Sequence, residues 1–252
     1  LQSATSHYFG QKFSKAYDIK FLNRENQLEY AYQTSWGAST RMIGGLIMVH
    51  SDDFGLVLPP KIAPKQVVIV PIGTDEKVMN LSDEICQKLN SNGVVAFVDK
   101  TERSPGFKFA EHEVCGIPVR VEVGMRDLEQ GLITLARRDT RAKVTISTNG
   151  DIVSEIKALL TEIQNNLYNT ALERRNKLTF KAKTLDELDK IMSRQPGFVY
   201  APWCGSTECE MKVKEVKGTK SRCITAEHVC SDDKCLVCGK KAKHIVVWGI
   251  QY

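Results

Sequence analysis

The 252-residue sequence contains no apolar run long enough to cross a bilayer. It lacks the charged start and apolar core of a secretory leader, since its first residues are LQSATSHYFGQKF. No internal repeat or low-complexity tract appears along it. These absences exclude a membrane-spanning helix and a solenoid, and they fit a cytoplasmic protein. An initiator methionine is also missing, so the chain is expected to be a fragment or a processed form. Cysteine is scarce until late: Cys86 and Cys115 stand alone before residue 204, and six of the eight crowd the last fifth. What is present is ample for folding. The apolar content is 42%, enough for more than one core. The net charge of +5 suits a polyanionic partner without demanding one.

Three blocks emerge along the chain. In residues 1–60, LEYAYQTSW (28–36) suits a strand, and Ser39 and Thr40 offer an N-cap for a helix running to about His50. Gly44 and Gly45 inside that helix each cost up to about 1 kcal/mol against alanine, which implies a close neighbour. LVLPPKIAPK (56–65) carries three prolines and reads as an extended linker. From 66 to about 168, strands at 66–73, 94–100, 117–124, 132–139 and 143–148 alternate with helices near 75–91 and 104–114. A long amphipathic helix follows, with Ile152, Ile156, Leu159, Ile163, Leu167 and Ala171 on one face. That order predicts an α/β layer with a mixed sheet. In the last block, Thr184 and Glu187 form a capping box for a helix to about Ser193, and FVYAPWC and HIVVWGIQY read as strands.

The late cysteines are spaced for a metal. Cys204 and Cys209 form one close pair, Cys235 and Cys238 another, with 25 residues between them. Each pair can supply two thiolates from one turn, as tetrahedral Zn²⁺ requires. Four protein ligands leave no open position, so the metal's role would be structural. Free structural cysteines and disulfides are the competing readings. Cys223 and Cys230 are spare, which leaves the ligand choice open.

Arg41 is the oddity of the first block, a cation heading an otherwise apolar helix. A helix N-terminus already presents unpaired N–H groups and the positive end of a dipole. Arg41 there would build an anion site, and its fork fits phosphate oxygens. An ion pair with Asp52 or Asp53 is the alternative.

At this point the residues resemble a known family. S-T-R-x-I-G-G-L-I-M-x-H-S-D-D-x-G-L-V-L-P-P (39–60) is similar to the third signature motif of class II aminoacyl-tRNA synthetases, in its prolyl form. Q-S-A-T-S-H-Y-F-G-Q-K-F-S-K (2–15) resembles the T-S-H segment of the prolyl enzymes. S-P-G-F-K-F-A-E-H-E-V-C-G-I-P-V-R-V-E-V-G-M-R-D-L (104–128) looks like their anticodon-binding domain. C-x4-C…C-x2-C with the final Tyr252 resembles the C-terminal zinc domain of the eukaryote- and archaeon-like prolyl-tRNA synthetases.

The resemblance implies an α/β and α+β multidomain fold. Residues 1–60 would be the C-terminal part of a class II antiparallel catalytic sheet, 61–172 an α/β anticodon-binding domain with a mixed sheet, and 173–252 a small α+β zinc-binding domain. It implies a ligase that activates L-proline with ATP to prolyl-adenylate and passes it to proline tRNA. Arg41 would hold the terminal phosphates, with Mg²⁺ accompanying the ATP. Gln2, Thr5 and His7 would meet proline or adenosine, and Trp36, Ser39 and Thr40 would complete the pocket. For His7 and Trp36 taken singly, a surface turn and a core position compete.

In the anticodon block, the family's reading positions fall on Phe109, Glu113, Arg120, Arg126 and Asp127. A carboxylate can accept from guanine N–H groups, arginine can read O6 and N7, and an aromatic ring can stack. Mutual pairing of Glu113, Arg120 and Asp127 on a solvated face is the competing reading. Lys108 and Arg103 would touch phosphates.

Motifs one and two belong upstream in this family. The chain is therefore expected to be roughly the C-terminal half of the enzyme, inactive alone, with a homodimer contact in the missing half. Residues 1–60 should then expose a sheet edge and an apolar face. A non-catalytic tRNA-binding paralogue is the alternative. A zinc-finger nucleic-acid protein fits less well, because no basic recognition helix lies beside the cysteines.

Overall fold

The computed structural model describes residues 4–226 and 233–250. Gln2, Cys230 and Tyr252 lie outside that range. The chain forms two compact units, Leu1–Leu167 and Tyr168–Tyr252. No helix of the described residues is long and apolar enough to cross a membrane.

The first unit opens with β1 (Ala4–Gly10), α1 (Lys12–Ala16), β2 (Lys20–Leu22), β3 (Leu28–Tyr30), β4 (Gln33–Ala38) and α2 (Arg41–His50). β1 pairs antiparallel with β4, and β2 with β3. The Asn23 side chain closes the β2–β3 turn by accepting from the backbone of Glu25 and Gln27. This part is left open, as the sequence leads one to expect. α2 buries none of its residues, and Tyr8, Met42, Ile43 and Trp36 are exposed, Trp36 to 83%. The close neighbour implied by Gly44 is not found among the described residues, where nothing lies within 4 Å of a Cβ placed there.

Residues 51–65, expected as an extended linker from 56 on, turn at 53–54 and again at 60–62 and do not form a free linker. Val57 joins the main core, and Pro59, Pro60 and Ala63 are buried. Leu56 N–H donates to Val114 O, and Leu58 N–H to Gly116 O. A Cβ on Gly55 would stand 2.5 Å from Val114 Cα, and one on Gly116 2.6 Å from Leu56 Cβ, both at positive φ. Glycine is required at both positions by backbone angle and by space.

The unit continues through β5 (Val67–Ile72), α3 (Glu76–Ser91), β6 (Ala96–Val98), α4 (Pro105–Val114), β7 (Val119–Gly124), α5 (Met125–Leu128), β8 (Leu132–Arg137), β9 (Lys143–Ser147) and the part of α6 (Ile152–Lys177) up to Leu167. The sheet order is β6-β5-β7-β8-β9. β5 is parallel to β6 and β7, while β7, β8 and β9 run antiparallel, so the sheet is mixed. Local signals account for the helix starts. The Asp75 side chain caps α3 by accepting from Lys77 N–H, and α4 starts with Pro105, whose missing N–H costs nothing there.

Strand alternation divides the sheet's two faces. Val67, Ile69, Val119, Val121, Ile133 and Leu135 face one way, toward Val78, Ile85 and Leu89 of α3 and Ile156 and Ile163 of α6. Val68 and Val70 face the other way, toward Ile117, Phe97 and Phe109. Arg120 and Glu122 of β7 share that second face, because they stand opposite Val68 and Val70.

A buried polar knot ties α4 to the end of β6. Asp99 is 5% exposed and accepts from the hydroxyl (2.6 Å) and the N–H (3.0 Å) of Thr101. His112 Nε2 lies 2.8 Å from its other oxygen, and Lys108 Nζ donates to its carbonyl at 2.9 Å. Burial pushes the Asp99 carboxyl up, but these hydrogen bonds outweigh it and hold it at about 2. Because the folded value lies below the ordinary one near 3.9, this stabilisation is present above about pH 4 and is lost as pH falls toward 2. Asp99→Asn should therefore destabilise the protein at pH 7 and flatten its acid sensitivity between pH 4 and 2. Urea midpoints at several pH values read this directly, and parallel curves for the two proteins would count against it.

The second unit adds β10 (Thr179–Lys181), α7 (Leu185–Arg194), β11 (Phe198–Trp203), α8 (Thr207–Glu215), β12 (Thr219–Ile224) and β13 (His244–Ile250). Its sheet runs β10-β11-β13-β12, with β10 and β11 parallel and the other pairs antiparallel. The capping box at α7 is formed. Thr184 Oγ1 accepts from Glu187 N–H at 3.2 Å, and the Glu187 carboxylate accepts from Lys183 N–H at 2.7 Å. Leu188, Met192, Val199, Val213, Val246 and Trp248 form the core.

Candidate functional site

The strand signal of FVYAPW carries β11 directly into Cys204, and α8 then brings Cys209 back toward it. A bend at Gly205 (φ +88) separates them, and Gly239 (φ +68) follows the second pair. The second pair is docked on the end of β11, where Leu236 N–H donates to Pro202 O at 3.0 Å and Lys243 N–H to Trp203 O at 2.8 Å. As a result Cys204, Cys209, Cys235 and Cys238 present their sulfurs within 4.8 Å of one another. Cys204 Sγ lies 3.7 Å from Cys209 Sγ and 3.8 Å from Cys238 Sγ. A tetrahedron of sulfurs about 2.3 Å from a central Zn²⁺ has edges of about 3.8 Å, so this donor set fits that ion. Burial pushes the Cys209 thiol up to about 12 and raises Cys204 as well. Cys235 is drawn down to about 7: burial opposes this, and the N–H groups of Cys238 and Val237 prevail. Cys223 lies exposed on β12, outside the cluster.

Arg41 is the first residue of α2, with Thr40 in the N-cap position and Ser39 before it. The helix start holds through Met42 N–H to Ser39 O and Ile43 N–H to Thr40 O. The alternative ion pair does not form. Asp52 is taken by Arg138, at 2.6 and 2.8 Å, and that contact holds its carboxyl below the usual range. Arg41 itself is exposed and makes no ion pair among the described residues.

In the β1–β4 register, Thr5 stands opposite Gly37 and His7 opposite Ser35. Thr5 and His7 therefore share one face of the ribbon. Trp36 pairs with Ser6 and faces the other way, so the structure does not bring it to His7. The His7 ring stacks on Phe9 with centroids 5.3 Å apart.

On the second face of the larger sheet, Arg120 is the centre of a charge cluster. It donates to Glu122 at 2.9 and 3.0 Å and to Glu113 at 3.2 Å. Its guanidinium lies 4.1 Å from the Phe109 ring centroid. Lys143 of β9 completes the set, 2.8 Å from the second Glu122 oxygen. The predicted Phe109, Glu113 and Arg120 are thus brought together. Glu113 and Arg120 do pair, but Arg120 is buried rather than on a solvated face. Arg126 is exposed on α5, and Asp127 accepts from Thr134 Oγ1 at 3.4 Å. Arg120 bonds to Glu113 and Glu122 and not to either of these two.

Sequence reasoning missed Glu122 and Lys143. The signal for Glu122 was the V-R-V-E-V alternation itself, which puts 120 and 122 on one face of β7. Lys108 corrects an expectation, because it is 4% exposed and spent on Asp99, not offered to a phosphate. Arg103 remains on the surface, paired with Glu111.

Comparison with known proteins matches this layout. A family model described as "Anticodon binding domain" covers residues 66–159, and one described as "Prolyl-tRNA synthetase, C-terminal" covers 185–252. A proline–tRNA ligase of Clostridium novyi (strain NT) is 49% identical over 253 residues, spanning 100% of this chain and 52% of the relative. A proline–tRNA ligase 2 of Bacillus thuringiensis subsp. konkukian (strain 97-27) is 47% identical, spanning 100% and 53%. The crystal structure of prolyl-tRNA synthetase from Cryptosporidium parvum complexed with L-proline and AMP matches with a TM-score of 0.92 at 38% identity, covering 100% of this chain and 55% of that one. The chain spans about half the length of the curated relatives it matches. These matches show that the chain carries the anticodon-binding and C-terminal domains of a prolyl-tRNA synthetase and is similar over its whole length to about half of such enzymes.

Proposed function

We propose that this chain is the C-terminal part of a proline–tRNA ligase. The observation that carries the reading is the match of the whole chain, including its Arg41 helix, to a prolyl-tRNA synthetase fold at a TM-score of 0.92. The proline carboxylate attacks the α-phosphate of ATP, pyrophosphate leaves, and the adenylate is passed to proline tRNA. No protein nucleophile is needed, so catalysis is positioning and charge neutralisation. Arg41 meets the departing phosphates, and Mg²⁺ accompanies the ATP. Gln2, Thr5 and His7 meet proline or adenosine, with Ser39 and Thr40 beside Arg41. Trp36, on the opposite face of the ribbon, is the weakest member of this set.

Three domains serve these roles: 1–60 catalytic, 61–172 anticodon-binding and 173–252 zinc-binding. Zn²⁺ in the four cysteines is structural. The full protein is a cytoplasmic homodimer that binds ATP, L-proline and proline tRNA. The direct test is amino-acid-dependent ATP–pyrophosphate exchange by the full-length protein. Exchange with proline alone among the standard amino acids, followed by charging of proline tRNA, supports the ligase. Binding of that tRNA without exchange would instead favour a non-catalytic paralogue.

Arg120 makes a separate prediction. Its guanidinium lies over Phe109 and beside two carboxylates, so it orders both a stacking ring and the guanine acceptors. Arg120→Ala in the full-length protein should weaken charging of proline tRNA by about 1–3 kcal/mol, mainly in KM. Pyrophosphate exchange, which needs no tRNA, should be spared. Equal loss in both assays would refute a role in reading the anticodon.

A further inference from the structure

We propose that Arg138 and Arg141 are positioning residues that couple the RNA-reading cluster at Glu113 to the helix that begins with Arg41. This rests on the ligase reading above. The chain leaves α2 at His50 and turns back at once. Asp52 and Gly55 bond to each other's backbone, and the Asp52 carboxylate accepts from Phe54 N–H at 3.0 Å. Two arginines from the β8–β9 connection grip that turn.

Arg138, 3% exposed, gives both terminal nitrogens to the Asp52 carboxylate, at 2.6 and 2.8 Å. Its Nε donates to the backbone carbonyl of Glu113 at 2.9 Å. Arg141 lies over the Phe54 ring, 3.9 Å from its centroid, and reaches the Glu113 carboxylate at 3.7 Å. One arginine thus joins the turn to the Glu113 backbone, and the other joins it to the Glu113 side chain. The tight seat of Gly55 on Val114 keeps the same two elements pressed together.

Arg138 is buried and Asp52 is partly open to solvent, so this bidentate pair adds little stability, but it fixes geometry. Here the geometry it fixes is the exit of α2. The ten residues from Arg41 to His50 form a rigid rod about 15 Å long, so a tilt at the exit moves Arg41. The opposite end of the linkage is Glu113, whose other carboxylate oxygen faces Arg120. A base that engages Glu113 competes with Arg141 for the carboxylate, and Arg141 is what stacks on Phe54. Both sites therefore act on one element, the 52–55 turn, as a coupling between sites requires.

The test uses the full-length protein, its Arg141→Asn variant and its Phe54→Leu variant. Asparagine tolerates the positive φ of residue 141 (φ +61), and leucine keeps the apolar bulk at 54. Each protein charges proline tRNA and a transcript with one anticodon guanine replaced. In the parent, the replacement should lower kcat as well as raise KM. In both variants the kcat ratio between the two tRNAs should shrink about fivefold or more, the low end of typical coupling. The KM ratio and tRNA-free pyrophosphate exchange should stay within about twofold of the parent, an effect that loosened packing alone would not produce. A parent whose kcat ignores the anticodon, or variants that keep the parental kcat ratio, overturn the inference alone. A parent that does not charge proline tRNA overturns the ligase reading and the inference with it.

Discussion

Cys209→Ser is expected to remove one bound zinc per chain and to lower the melting temperature of the second unit by more than about 10 °C. Cys209 sits on α8 near Cys204, which directly follows β11, and the other two sulfurs come from a loop docked on that same strand. A metal held there would tie three separate segments together. Zinc affinities of such sites are on the order of 10–16 kcal/mol, comparable with or larger than a domain's whole net stability. Losing even about 3 kcal/mol would shift a unit of this size by about 10–20 °C. A chelator should produce the same shift in the parent and none in the variant. Acid should release the metal too, because thiolates are the ligands and protonation competes for them. Cys223→Ser is the control, since Cys223 lies outside the cluster and should leave metal content unchanged. Equal zinc and equal melting in Cys209→Ser and the parent would sink the assignment.

Features carried by local pattern were legible in the sequence. The apolar block of β5, the apolar face of α6, buried at five of its six expected residues, and the Thr184–Glu187 capping box each have a single local reading, and each is where the sequence puts it. The cysteine set was legible for the same reason, because thiolate spacing within a pair is a property of one turn. LEYAYQTSW reads as one strand but divides into β3 and β4, each paired with a different strand. α8 and β12 went unseen because little in them is buried. Only Cys209 and Val213 of α8 face inward, and the rest reads as polar loop.

Long-range charge pairing was the least legible. Asp52 and Arg138 stand 86 positions apart, and only the folded chain could show that Asp52 is spent on Arg138 and therefore not available to Arg41. Lys108 misled for a similar reason. Its neighbours in SPGFKF suggest a phosphate contact, but the fold buries it over Asp99. Glu122 was hidden by its surroundings, two valines that point to the core from the opposite face.

Arg41→Ala in the full-length protein should lower proline-dependent pyrophosphate exchange by about 10²–10³-fold, or roughly 3–4 kcal/mol. Negative charge grows on the departing pyrophosphate as the α-phosphate is attacked. A cation already held at that spot stabilises the charge without reorganising. α2 would add the positive end of its dipole at the same spot. Arg41 makes no ion pair among the described residues, so none of their carboxylates neutralises it before ATP arrives. Its loss should also leave the fold intact, because it is exposed and α2 buries nothing in this chain. The effect should fall on kcat more than on the KM for proline, since the charge it meets develops in the transition state. Arg41→Lys should recover part of the rate by charge but not all, because an ammonium lacks the bidentate fork. An Arg41→Ala protein that exchanges within threefold of the parent would show that the triphosphate is held elsewhere and that Arg41 serves only to make α2 soluble at an exposed end.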